Sequence, residues 1–187
     1  MGKWYAVQVE TGREDAACEL ILRAAQAAGL ARAFDELFSP KRRTLSKVRG
    51  ELVEGQEPLL PGYVIAVCRP RDLDAVATAL NRFPRFARLV GAGEAFTPLS
   101  DQEVAWISAF TRRESRTVEM SEGFIEKGRV VIASGPLVGH EALLQKVNRR
   151  KRFAEVEFSI CGRTVRAKVG LNLVKKERQR KDRFREN

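Results

Sequence analysis

Four consecutive cations, Arg149-Arg150-Lys151-Arg152, stand between an apolar stretch and an alternating one. Like charges at one bend repel each other, so the run suits either a well-solvated loop or a site that waits for an anion such as a phosphate. Other chemistry finds little support. His140 is the one histidine and lies in a loop-like stretch, "PLVGHEA", with no nucleophile elbow near it. Cys18, Cys68 and Cys161 are far apart with no CxxC pair, which fits free structural thiols better than a disulfide framework or a zinc site. "GAG" at 91–93 is too short for a phosphate loop. The expectation is a binding protein, not an enzyme, without metal or cofactor.

The surplus charge is local. The chain of 187 residues has a net charge of +10, with 34 Lys+Arg against 24 Asp+Glu. Residues 1–123 hold 17 of each sign, and residues 124–187 hold 17 Lys+Arg against 7 Asp+Glu, so the last third carries the whole excess. A neutral first part and a cationic second part imply two modules with different partners. A hydrophobic content of 44% excludes wholesale disorder. No apolar run approaches the roughly 20 residues that cross a bilayer. "MGKWYAVQVE" lacks a basic segment followed by an apolar core, and Ala6 stands where a myristoylation signal needs Ser or Thr. A cytoplasmic protein is expected.

The elements that position these residues follow from period and punctuation. "KWYAVQVE" alternates as a strand, and "TGRE" at 11–14 reads as a capping box. It opens a helix with Ala17, Leu20, Ile21, Ala24 and Ala28 on one face and Gly29 as its stop. "DELFSPKRRTLSKVRGELVEGQEPL" reads as a strand, a long polar hairpin or loop, and a return; "LPGYVIAVC" is a central strand. A second helix begins near Asp72, carries Leu73, Val76, Ala77, Leu80 and Phe83, and ends at Pro84; "RFARLVG" is a short strand. "SDQE" at 100–103 is another capping box, before Val104, Ile107 and Phe110. The order β-α-β-β-α-β-α predicts a sheet with helices packed on it in the ferredoxin-like manner. "SRTVEMSEG" at 115–123 has no periodicity and reads as a linker. Beyond it, "GRVVIAS", "EALLQKV", "RFAEVEFSI" and "RTVRAKVGL" are strand-length runs of a small β-barrel, although "EALLQKV" equally suits a helical turn.

A two-residue turn at Cys161-Gly162 sets a register for the last hairpin. Ile160 then opposes Arg163, and Glu157 and Glu155 oppose Arg166 and Lys168, pairs that contribute roughly 0.2–1 kcal/mol each. Arg149 to Arg152 lie at the other end of this hairpin without such neighbours. They are the cations left for nucleic acid, and the tail "KKERQRKDRFREN" extends the patch or stays unstructured.

"KWYAVQVETGRE", "LLPGYVIAV", "FPRFARLVG", "PLSDQEV" and "GRVVIASGPLVG…SICGRTVRAKV" resemble the NusG family of transcription elongation factors in order and spacing, from Lys3 to about Lys176. The resemblance implies an α+β fold, with a ferredoxin-like NGN domain at 1–114, a linker at 115–123, a small KOW β-barrel at 124–177 and a basic tail at 178–187. It implies that Trp4, Tyr5, Leu60, Pro61, Tyr63, Phe83 and Phe86 form an apolar depression for the clamp helices of the RNA polymerase β′ subunit, with pausing suppressed as a shift in polymerase state. Leu60 stands where many members carry an aromatic. In "SICGR", Cys161 replaces the aromatic of a surface that contacts Rho or ribosomal protein S10, and Ala142 stands at the glycine of the KOW signature. Asp74-Ala75-Val76 lacks the polar motif of RfaH-type paralogues, so sequence-specific DNA binding is not expected.

A cationic KOW module on such a body looks most like the LoaP group of antitermination paralogues. The expected RNA contacts are Lys146, Asn148, Arg149, Arg150, Lys151 and Arg152, on a leader hairpin, in a monomer without membrane attachment. The alternatives are a general NusG whose KOW domain binds Rho or S10, and a free-standing RNA-binding domain, against which Pro61 counts because that motif needs Lys or Arg before Gly62. A C-terminal module that switches from helix to barrel is not expected.

Overall fold

The structure, a computed structural model, describes residues 2–81, 87–89, 91–92, 95–111 and 114–174. In chain order the first part contains β1 (Lys3–Val9), α1 (Glu14–Ala27), β2 (Phe34–Phe38), β3 (Lys41–Val48), β4 (Glu51–Pro58) and β5 (Tyr63–Cys68). These lead into α2 (Leu73–Asn81), β6 (Ala87–Leu89), β7 (Gly91–Ala92), β8 (Ala95–Phe96) and α3 (Asp101–Phe110). Among the described residues that follow there are one 3-10 turn and the strands β9 (Thr117–Val118), β10 (Ser121–Glu126), β11 (Arg129–Ser134), β12 (Leu144–Asn148), β13 (Phe153–Ile160) and β14 (Arg163–Leu173).

The first sheet has the order β2-β5-β1-β6. Its period of two decides which side chains go where. Tyr5, Val7 and Val9 of β1, with Val64, Ala66 and Cys68 of β5, pack with Ala17 and Ile21 of α1 and Val76, Ala77 and Leu80 of α2. Trp4, Ala6, Tyr63, Ile65 and Val67 belong instead to a second cluster, on the opposite face. Because both faces are covered, β5 reads as an unbroken apolar run.

That second cluster continues through Ile107 and Phe110 of α3 into Ile132, Val156, Ile160, Val169 and Leu171 of the C-terminal strands. The two parts of the chain therefore share one core. The C-terminal sheet has the order β11-β10-β14-β13-β12, with β10 parallel to β14 and the remaining ladders antiparallel. The content is mixed α/β, and the C-terminal strands form a five-stranded half-barrel sheet, consistent with the small β-barrel of the sequence reading. No ladder joins β11 to β12 among the described residues; the 3-10 turn Glu141–Leu143 packs near β11 and β13 instead. "EALLQKV" thus takes both of its readings, a helical turn followed by a strand.

Three local expectations change. The "TGRE" box does not form: α1 starts at Glu14, Arg13 occupies the cap without a side-chain bond, and buried Glu14 turns to other amides. On α1 the buried stripe is Ala17, Ile21 and Ala25, while Ala28 is exposed beyond the helix end. The stretch 115–123 carries β9, which pairs parallel with β3, and the first residues of β10. Its strands are too short to leave a periodic signature. The "SDQE" capping box forms as read, with the Glu103 amide donating to Ser100 Oγ at 3.3 Å and the Ser100 amide donating to Glu103 Oε2 at 2.7 Å.

Candidate nucleic-acid interface

The β13–β14 hairpin has the register derived from its turn. Ile160 opposes Arg163, Phe158 opposes Val165, Glu157 opposes Arg166 and Glu155 opposes Lys168. Cys161 at φ 48° and Gly162 at φ 73° are both left-handed, as a tight turn between right-twisted strands requires. Arg166 Nε meets Glu157 Oε2 at 3.0 Å, so that cross-strand pair exists. Lys168 behaves differently, with Nζ 5.1 Å from the centre of the Phe153 ring. Phe153 opposes Gly170, which has no side chain to cover the ring, and Lys168 fills the gap from the diagonal position.

At the other end of β13, Asn148 pairs with Phe153 and the four cations 149–152 form the turn between them. Asn148 Oδ1 accepts from the Lys151 amide at 2.9 Å, and the Arg152 carbonyl accepts from the Leu171 amide at 3.0 Å. The turn is thus held through the Asn148 side chain and the Leu171 amide of β14, and Arg149, Arg150 and Lys151 are left exposed. Among the described residues none of these three forms an ion pair. Arg152 is half-buried, and Lys146 faces Glu155 across β12 and β13. Of the six expected RNA contacts, three are free cations, while Asn148 works on the turn itself.

The apolar set divides. Tyr5 and Leu60 are 2% and 0% exposed and lie in the core, where they offer no surface in this arrangement. Trp4 and Tyr63 are half-buried on the sheet face opposite α1 and α2, and Pro61 is exposed. Phe83 and Phe86 lie outside the described residues. Sequence reasoning missed Phe38, whose ring meets the Trp4 ring edge-on at 5.5 Å. It also missed Arg116, whose guanidinium lies 5.2 Å from the Trp4 ring and 4.6 Å from the Phe38 ring while paired with Glu36. Strand alternation in "FDELF" was the available signal for Phe38; Arg116 comes from the supposed linker and left none.

The turn Cys161-Gly162 is not free. Its Cys161 amide donates to Glu103 Oε1 at 2.7 Å, and its thiol donates to the Thr97 carbonyl at 3.8 Å. At the other end of α3 the Phe110 and His140 ring centres lie 5.0 Å apart. The α3 capping residue thus also anchors the C-terminal sheet. Burial, with Glu103 adding to it, pushes the Cys161 thiol up in pKa, so the residue is not poised as a nucleophile. No group of three or more metal-ligating side chains occurs among the described residues.

The family model described as "Transcription termination factor nusG" matches residues 2–108. A "Transcription termination/antitermination protein NusG" of Helicobacter pylori is 26% identical over 179 residues, covering 94% of this chain and 99% of that protein. One from Lactococcus lactis is 27% identical over 158 residues, 83% of each. A solved structure, "Domain interaction in Thermotoga maritima NusG", superposes with a TM-score of 0.54 at 19% identity, covering 91% of this chain and 94% of that one.

Proposed function

The chain belongs to the NusG family and is a NusG-type transcription termination/antitermination factor, and from that premise we propose that it binds RNA polymerase with its first part and RNA with its second. The first part is then an NGN domain and the second a KOW domain. The polymerase contact is the sheet face that carries Trp4 and Tyr63, with Pro61 at its rim and Phe38 and Arg116 supporting Trp4. Aromatic side chains that stay half-exposed at the edge of that shared cluster suit a helical partner such as the β′ clamp helices. The RNA contact is the turn Arg149 to Lys151.

The observation that carries the reading is the presence of three exposed cations, without ion pairs among the described residues, on a turn whose main chain is tied to the Asn148 side chain and to Leu171 of β14. A solvated loop has no need of such order, whereas preorganised charge lowers the cost of gripping phosphate. Binding a leader RNA would tether the factor to chosen transcription units and favour read-through, the behaviour of a LoaP-like antiterminator. The reading in which the KOW domain takes Rho or S10 is less supported, because the Cys161-Gly162 turn is engaged by Glu103 and Thr97.

The test uses the whole chain in two assays. R149Q/R150Q/K151Q should weaken leader-RNA binding in a mobility shift and leave polymerase binding intact. W4A/Y63A should do the reverse, with polymerase affinity lowered about tenfold or more, as for truncated aromatic anchors. RNA affinity unchanged in the first variant would overturn the RNA half of the proposal. Polymerase affinity unchanged in the second would overturn the other half.

A further inference from the structure

The cationic turn does not stand alone. Beside it runs the β3–β4 hairpin, closed at Arg49-Gly50 and belonging to the first part of the chain. The two are brought together where β14 passes against the β3 backbone. A Cβ at Gly170 would lie only 2.9 Å from the Arg43 carbonyl, so glycine permits that approach. Between hairpin and turn lies a cleft of about 870 Å³. Lys47 lines one wall; Arg149, Arg150, Lys151, Arg152 and Lys168 line the other. Among the described residues its one carboxylate, Glu57, is paired with Arg42 and so does not neutralise the remaining cations. Lys47 is exposed and, like the turn cations, forms no ion pair among the described residues.

We propose that this two-walled cleft, and not the turn alone, is the binding site, and that its ligand is a single-stranded segment of RNA. The inference rests on the RNA-binding reading above and adds the second wall and the form of the ligand. Phosphates are held between Lys47 on one side and Arg149, Arg150 and Lys151 on the other, and Thr44 and Ser46, which also line the cleft, offer hydroxyls to the ribose 2′-hydroxyls. A duplex carries its phosphates on the outside of a thick cylinder and rides on the rim, whereas one strand can lie between two walls. Base recognition is weak: Phe153, the aromatic of the cleft, is 9% exposed and already under Lys168, so it cannot serve as a stacking platform. The cleft grips backbone and tolerates sequence.

The test is fluorescence anisotropy of the full chain with a labelled single-stranded RNA of about 10 nucleotides, read across a salt series. K47Q should weaken binding about threefold to tenfold and lower the logarithmic salt slope by about 0.7, one phosphate contact on a single strand. R149Q/R150Q/K151Q should lower both further. R129Q removes an equal charge from an exposed residue outside the cleft and should leave affinity near that of the parent. If the triple variant weakens binding and K47Q does not, the cleft is wrong and the RNA reading stands. If the parent binds no RNA, or neither variant changes its affinity, the RNA reading falls and the cleft with it. A blunt RNA duplex, or single-stranded DNA of the same sequence, bound as tightly as the RNA strand would overturn the ligand assignment. Lys47 lies on an exposed hairpin, so K47Q should keep the parent's melting temperature, and a lost fold cannot imitate the result.

Discussion

Glu14 is a buried acid with a structural task. Its Oε1 accepts from the Gly62 amide at 2.8 Å and from the Gly12 amide at 3.1 Å, joining the start of α1 to the turn before β5. Glu14→Ala should destabilise the protein by about 1–3 kcal/mol for each amide left unpaired, and Glu14→Gln, which keeps a carbonyl oxygen, by clearly less. Urea denaturation of the three proteins measures the order. The thiols make a second case. Burial is the main cause that raises Cys18 from 9.0 to about 12 and Cys68 to about 11. The folded state therefore prefers both thiols protonated. Their contribution to stability is complete below the unfolded value of 9.0 and is lost as pH rises through 11 and 12. Melting temperature should fall between pH 9 and 11, and should fall less in C68A; at pH 8 both thiols should react slowly with a disulfide reagent in the folded protein.

Two elements owe their placement to single residues. Helix α3 is capped by Ser100, but its Glu103 also receives the Cys161 amide, so one carboxylate serves the helix end and the link between the two parts of the chain. Ser100→Ala should cost about 1 kcal/mol, an ordinary cap loss. Glu103→Ala should cost more, since it also strands the Cys161 amide, and thermal melts of the two variants decide between them. Strand β14 meets β3 at Gly170. Gly170→Ala adds a methyl against the Arg43 carbonyl and against Met120 Sδ, so the strands must move apart or the side chain of Met120 must shift. The expected result is a loss of about 1–3 kcal/mol, as for overpacking. Strand periodicity made β1, β5 and the β13–β14 register legible, and Ser-Asp-Gln-Glu marked α3. The "TGRE" match at 11–14 misled because Gly62, distant in sequence, competes for the Glu14 carboxylate.

Taken whole, the molecule is two charge-distinct parts that share a core. The cluster running from Ala6 and Ile65 through Ile107 to Val156 and Leu171 makes unfolding of one part costly for the other. A single cooperative urea transition is expected, with fluorescence from Trp4 and Trp106 tracking far-UV circular dichroism; two separate transitions would show that the parts unfold independently.

Composition and local order in the chain sufficed for much of this. They located the positive surplus in the last third, the strands and helices of the first sheet, the Cys161-Gly162 turn and the cations with no carboxylate opposite. These depend on short-range rules: alternation, capping, turn chemistry and charge count. Only tertiary structure decided that Tyr5 and Leu60 are core, that Arg116 lies against Trp4, that Cys161 is held by Glu103, and that Lys47 lines one cleft with Arg149 to Lys151. Each of those depends on contacts between residues remote in sequence, which periodicity does not record and which exist only once the two parts close on a common apolar interior.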